Sequence, residues 1–185
     1  MSTLRGQVAR VNRILVIGCS GSGKSTLSVK LAKALDLPLI NLDSYFWKPG
    51  WVAAPKNDWL PIVEELSASP RWIMDGNFAG SFHIQIPRVD AIIFLDLLRV
   101  TCICRILRRW ITYKGRRRPD MAPGCPEKLD MEFLLWVWRF NKAIRPIVQK
   151  ALVEYGSGKL LYHLTTLGEI KKFERITLKR QRLPM

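Results

Sequence analysis

The chain has 185 residues, 48% apolar and 24% charged, which is enough hydrophobic material for one packed domain and too much for a disordered chain. A net charge of +15 implies an anionic partner: nucleotide phosphate, nucleic acid or an acidic surface. No run approaches the ~20 apolar residues of a bilayer span and no secretory leader is evident. The four cysteines, Cys19, Cys102, Cys104 and Cys125, form no CxxC pair, so a reducing, cytoplasmic setting is expected.

Arg13 to Ile17 is a short apolar run that predicts a buried first strand. From Thr26 to Leu37, Leu27, Leu31, Ala34 and Leu35 recur at helical spacing, closed by Pro38. PLINLD predicts a second strand ending at Asp43, and the aromatic, Pro- and Gly-containing stretch 44–56 predicts a loop. Asn57 or Asp58 would cap a short helix through Leu66. RWIMDG, AIIFLD and KLLYHL predict three further strands, the first two ending at Asp75 and Asp96. Helical patterns fall between most of them. Near-continuous apolar strands alternating with helices imply an α/β fold with a parallel sheet covered on both faces.

The helix after the fourth strand puts Ile103, Ile106, Leu107, Trp110 and Ile111 on one face and Arg105, Arg108 and Arg109 on the other. KGRRRPDMAPGCPE then predicts a mobile basic loop. A long helix is expected through Leu129, Phe133, Val137, Phe140, Ile144 and Val148, kinked at Pro146. The C-terminus predicts an amphipathic helix and a basic tail with Lys179, Arg180 and Arg182.

The most specific motif lies between the first strand and the first helix. Gly18, Cys19, Ser20, Gly21, Ser22, Gly23, Lys24, Ser25 and Thr26 fit GxxxxGK[ST] at every fixed position. A phosphate chain needs several backbone N–H groups pointed inward, and glycine lets the chain curl tightly enough to supply them. The free amides at the helix start add partial positive charge. Lys24 would reach the β- and γ-phosphates of ATP, and the Ser25 hydroxyl would ligate the bridging Mg²⁺. Cys19 occupies a variable position and reads as filler.

Asp43, Asp75 and Asp96 each end a predicted strand, where open parallel sheets bind ligands. Such a carboxylate holds Mg²⁺, orients an attacking hydroxyl, or caps the next turn. Capping is preferred for Asp96, and a functional role for Asp75 and Asp43. Arg105, Arg108, Arg109, Arg116 to Arg118 and Arg139 form a basic set suited to the charge of phosphoryl transfer, or else a solvated face. Tyr45, Phe46, Trp47, Trp51 and Trp59 either stack on an acceptor or make a small core under their loop. His83 and His163 receive no role.

Taken together, these segments resemble the nucleoside monophosphate kinases, adenylate kinase above all, and most closely the adenylate-kinase-related bacterial proteins labelled DNA topology modulation proteins. WIMDGN, GRRRPDMAPGCPEK and FLLWVWRF carry the closer likeness, which spans Arg13 to Phe173. The resemblance implies a three-layer α/β/α fold, strand order 2-3-1-4-5, and a closing lid over about 105–139. It implies that Arg105, Arg109, Arg118 and Arg139 contact phosphate, that Asp75 lies near the metal, and that the segment around Thr165 to Gly168 lies near adenine. This chain departs from the adenylate kinase pattern in having no arginine between Arg13 and Arg71, so an acceptor phosphate has no evident partner. Zinc is not expected in the lid, where only Cys125 stands.

The reading is a single P-loop kinase-like domain over 1–185, with an aromatic acceptor loop at about 43–60. It would use ATP and Mg²⁺ to phosphorylate a small molecule, a nucleoside or nucleotide among the candidates. Lys24, Asp43, Arg105, Arg109, Arg118 and Arg139 would serve the transfer, and Ser25 and Asp75 the metal. The alternatives are a nucleotide-gated DNA-binding regulator, motivated by the charge, and a bare NTPase.

Overall fold

In the computed structural model, residues 8, 11–116 and 121–178 are described, so Arg118 and the basic tail lie outside them. The first strand, β1 (Arg13–Gly18), is buried because its side chains alternate between two apolar layers. Leu15 and Ile17 face one layer, and Ile14 and Val16 the other. Each such fully buried aliphatic side chain contributes about 1.5–3 kcal/mol relative to exposure.

Helix α1 (Lys24–Leu35) follows, then β2 (Leu39–Asn41), a short α2 (Leu42–Phe46), and a hairpin of β3 (Trp47–Lys48) and β4 (Val52–Ala53). After α3 (Lys56–Ala68) come β5 (Trp72–Asp75), α4 (Phe82–Arg88) and β6 (Ala91–Leu95). The chain continues through α5 (Arg99–Tyr113), α6 (Met131–Ala143), α7 (Arg145–Tyr155), β7 (Leu160–Leu164) and α8 (Leu167–Thr177). The sheet is five-stranded and parallel, in the order β2-β5-β1-β6-β7. Numbered within the sheet alone, that is the expected 2-3-1-4-5. Leu27 and Leu31 of α1 and Phe173 of α8 pack on one face, and Trp59, Val63, Phe82, Ile86 and Val148 on the other. The architecture is therefore three-layer α/β/α.

Several local expectations are corrected. β2 stops at Asn41, so Asp43 lies in the first turn of α2 rather than at a strand end. The stretch expected as a loop contains the end of α2 and the hairpin, and α3 is capped by Pro55 rather than Asn57 or Asp58. The long helix is two helices, because the chain turns at Ile144 and Pro146 is accommodated in the first turn of α7. On α5 the buried positions are Cys102 and Ile106, while Ile111 is 72% exposed. That face is chosen by the glycine-rich loop between β1 and α1, against which Cys102 and Ile106 pack.

Candidate functional site

The loop between β1 and α1 takes the curled form its glycines permit. Gly21 and Gly23 have φ of 78° and 101°, in the left-handed region that side chains disfavour. A Cβ on Gly21 would lie 2.4 Å from the Cys102 carbonyl oxygen, so α5 backbone presses directly on the loop. The N-cap of α1 is Gly23, with no side-chain hydrogen bond to the first-turn amides, an arrangement in which a helix start can receive an anion. Lys24 curls over the loop, its Nζ donating to the Cys19 carbonyl at 3.1 Å. Arg105 Nη1 donates to the Ser22 carbonyl at 2.9 Å, which fixes that guanidinium against the same loop.

Cys19, expected to be filler, is 3% exposed and packs with Leu97, Cys102, Ile106, Val137 and Phe140. It anchors the loop between α5 and α6. Hydrogen bonding to Cys102, with burial, pushes the Cys19 thiol far above its usual range. The same hydrogen bond from Cys19, helped by Lys24 and Arg105, lowers the Cys102 thiol against the opposing effect of burial. No local pattern flags this pairing, because the partners are brought together by the packing of α5.

A cavity of about 550 Å³ opens from the loop toward the β5 and β2 side of the sheet. Gly18, Ser20 and Lys24 line one end. Asp43 lines it from α2, Asn77 and Phe78 from the turn after β5, and Trp47 and Trp51 from the hairpin. Arg109, Met121, Glu127, Lys128, Asp130, Glu132, Phe133 and Trp136 complete the lining.

The cavity is roofed because residues 121–130 dock on the hairpin. Gly50 N donates to the Gly124 carbonyl at 2.9 Å, and Trp51 Nε1 to the Pro126 carbonyl at 3.0 Å. Met121, Ala122 and Cys125 bury themselves against Trp47 and Trp51. Trp51 itself has φ of 64°, a conformation costing a non-glycine residue about 1–2 kcal/mol, which these contacts offset. The rings thus do two things: Phe46, Trp59 and Phe78 form a core with centroids 4.7–5.1 Å apart, while Trp47 and Trp51 face the cavity.

Comparison with known proteins places this geometry. No protein-family model matches the chain. The uncharacterized protein YqaC of Bacillus subtilis (strain 168) is 25% identical over 150 residues, covering 80% of this chain and 83% of that one. Among solved structures, shikimate kinase from Acinetobacter baumannii, in complex with shikimate, aligns with a TM-score of 0.57 at 12% identity over 91% of this chain and 92% of that one. A gluconokinase from Sinorhizobium meliloti 1021 aligns with a TM-score of 0.51 at 17% identity over 90% and 89%. The fold is that of the P-loop kinases.

Within this P-loop kinase fold the remaining sequence candidates separate. Arg109 lines the cavity, and its Nε pairs with Glu127 Oε1 at 2.7 Å, where Glu127 is only 3% exposed. Arg139 is exposed on α6 and does not line the cavity. Asp75 is buried at the carboxyl end of β5 and Ser25 half-buried in the first turn of α1; neither lines the cavity. Both offer hard oxygen donors, the type Mg²⁺ takes. Asp96 forms an ion pair instead of a cap: Arg145 Nε and His163 Nε2 each meet Oδ2 at 2.8 Å. His163, given no role, also stacks on Phe94 with rings 5° from parallel. The segment after β7 starts α8 with a capping box between Thr166 and Glu169, whose carboxyl is lowered chiefly by the Thr165 amide. Among the described residues no helix is long and apolar enough to cross a membrane.

Proposed function

We propose that the protein is an ATP- and Mg²⁺-dependent P-loop kinase of the cytoplasm that transfers the γ-phosphoryl group to a hydroxyl of a small-molecule acceptor. One observation carries the reading: a single roofed cavity joins the phosphate-binding loop and Lys24 to Asp43. A transfer enzyme needs donor and acceptor in one compartment with water excluded. The shikimate kinase and gluconokinase likenesses support a small acceptor. Arg105 and Arg109 at helical spacing and the strand order support the nearer kinship with adenylate-kinase-like proteins.

The roles follow from position. The loop amides and Lys24 hold the β- and γ-phosphates, and Arg105, tied to Ser22, adds positive charge beside them. Ser25 and Asp75 would hold Mg²⁺, which neutralises charge on the phosphate oxygens when bound. Asp43 orients the acceptor hydroxyl and takes its proton as that oxygen bonds to the γ-phosphorus and the bond to ADP breaks. Arg109 is held by Glu127 on the cavity wall and serves the transferring group. Arg118 and Arg139 would act from the lid as it closes over the phosphates.

The test is transfer of label from γ-labelled ATP with Mg²⁺ across nucleosides, nucleotides and small alcohols. Labelled product from the native chain, reduced roughly 10²-fold or more in Asp43→Asn, is expected. ATP binding without transfer to any acceptor would sink the kinase reading, and phosphate release alone would leave an NTPase.

A further inference from the structure

Helices α5 and α6 each carry an exposed apolar stripe outside the cavity. Val100, Leu107 and Ile111 recur at helical spacing along α5, and Ile111 is 72% exposed. Met131, Leu135 and Trp138 do the same along α6, and Met131 is 67% exposed. The stripes lie apart from the buried positions, Cys102 and Ile106 on α5 and Val137 and Phe140 on α6. None of the six side chains lines the cavity. The two helices adjoin: Ile106 packs with Val137 and Phe140, and the Arg99 guanidinium sits over the Trp138 ring at 4.0 Å. Six large apolar side chains on adjoining helices make a patch, unlike the single exposed residues of an ordinary surface.

The border of the patch is cationic. Helix α5, RVTCICRILRRWITY, has arginines at 99, 105, 108 and 109 and no carboxylate. Arg105 is tied to the glycine-rich loop and Arg109 lines the cavity, so Arg99 and the exposed Arg108 belong to the outer side. Lys114 follows, its Nζ 5.2 Å from the Trp110 ring centroid, and the exposed Lys142 continues the α6 stripe. The segments outside the described residues keep the same sign by sequence. They contain Arg5 and Arg10, then Arg117 and Arg118 against Asp120, then Lys179, Arg180 and Arg182.

These two properties select among occupants. A second copy of the chain would cover the apolar side chains but set the same cations against each other. A nucleic acid would neutralise the cations and leave the aliphatic side chains uncovered. The surface of an anionic bilayer meets both needs. Aliphatic side chains and Trp138 enter the acyl boundary, while arginine and lysine reach back to lipid phosphates. We propose that the outer face of α5 and α6 docks on an anionic phospholipid membrane, with the protein lying on the bilayer and not spanning it.

The experiment is flotation of the full chain with two kinds of vesicle. One is phosphatidylcholine alone, and the other includes roughly 30% phosphatidylglycerol. Binding should be at least roughly tenfold stronger to the anionic vesicles at about 0.1 M salt, and should weaken at about 0.5 M. Ile111→Gln with Leu135→Gln should lower that binding roughly tenfold, with the melting temperature and ATP affinity unmoved. Each single variant should lower it by less. Arg108→Glu should lower it roughly threefold or more. Failure to bind either vesicle would overturn the proposal, as would equal binding to both. Binding that the apolar variants leave unchanged would overturn it too, because the basic segments alone would then hold the lipid. A dimer seen by light scattering and broken by the same apolar variants would give the face to a second copy. Duplex DNA binding lost in Arg108→Glu, without vesicle binding, would give it to nucleic acid.

Discussion

The cavity has two ends made on different principles. At the glycine-rich loop, proposed above to hold phosphate, the surface is made by backbone: curled glycines, uncapped amides of α1 and one ammonium. At the far end it is made by side chains drawn from five separate segments, α2, the hairpin, the turn after β5, α5 and residues 121–136. The first end is rigid because neighbouring backbone leaves no room, with the Cys102 carbonyl 2.4 Å from where a Gly21 Cβ would stand. The second is held by a handful of loop-to-loop hydrogen bonds and a small cluster of rings. Under the proposed function, the first wall suits a fixed ligand and the second is the one that sequence change can respecify.

The largest effect should come from the backbone end. Lys24→Ala removes the only lining cation that belongs to the loop itself. Loss of one preorganised charge at a transferring group costs about 10²–10³-fold in kcat. Labelled-phosphate transfer and ATP calorimetry would measure it, with the fold checked by circular dichroism. Unchanged ATP binding and turnover would mean that this end does not grip phosphate. Gly21→Ala should come next and act through stability, because it meets both the Cys102 carbonyl and a φ of 78°. Such strain costs about 1–3 kcal/mol. In a chain of this size that lowers Tm by about 2–4 °C per kcal/mol. A melting curve identical to the native chain's would show that the loop relaxes away from α5 and is not rigid.

The two ends also differ in how they could be read before the structure. The loop's residues are consecutive, and each glycine answers to a local backbone requirement, so Gly18 to Ser25 announces itself. The same holds for β1, β5 and β6, whose unbroken apolar runs reflect burial on both faces. The acceptor wall has no such spacing. Asp43, Glu127, Asp130 and Glu132 meet only because residues 121–130 dock on a hairpin more than 70 residues earlier, as the Trp51 to Pro126 bond records. Arg109 reads as a free phosphate contact until folding supplies Glu127, and Cys19 reads as filler until α5 supplies Cys102. The buried positions of α5 are hidden from the sequence for the same reason. A helical wheel ranks apolar faces, but the loop and its Gly21 chose the face carrying Cys102 and Ile106.

A smaller effect should follow at the side-chain end. Trp51→Ala deletes the Nε1 bond to the Pro126 carbonyl and the edge contact with Trp47. Those interactions are worth about 1–2 kcal/mol together, and alanine relieves nothing at the positive φ. The acceptor KM should rise roughly tenfold while the KM for ATP stays put. Hydrogen exchange across residues 121–130 should quicken in the same variant. Equal rises in both KM values would break the distinction, since the roof would then serve the nucleotide as much as the acceptor.

The smallest expected effect defines the baseline against which both ends are judged. Lys30 of α1 meets both carboxylate oxygens of Glu174 on α8 at 2.8 Å, and neither residue lines the cavity. The ammonium side chain is 44% exposed, so solvent and salt screen most of the attraction. Lys30→Ala should cost less than about 1 kcal/mol, with the loss shrinking further as salt is raised. It should leave both KM values and kcat unmoved, although α1 is the helix that begins with Lys24 and Ser25. A change in ATP affinity from so modest a surface deletion, measured by calorimetry at two salt concentrations, would mean that the start of α1 is positioned from its exposed flank. The rigidity assigned to the loop would then belong to the helix behind it.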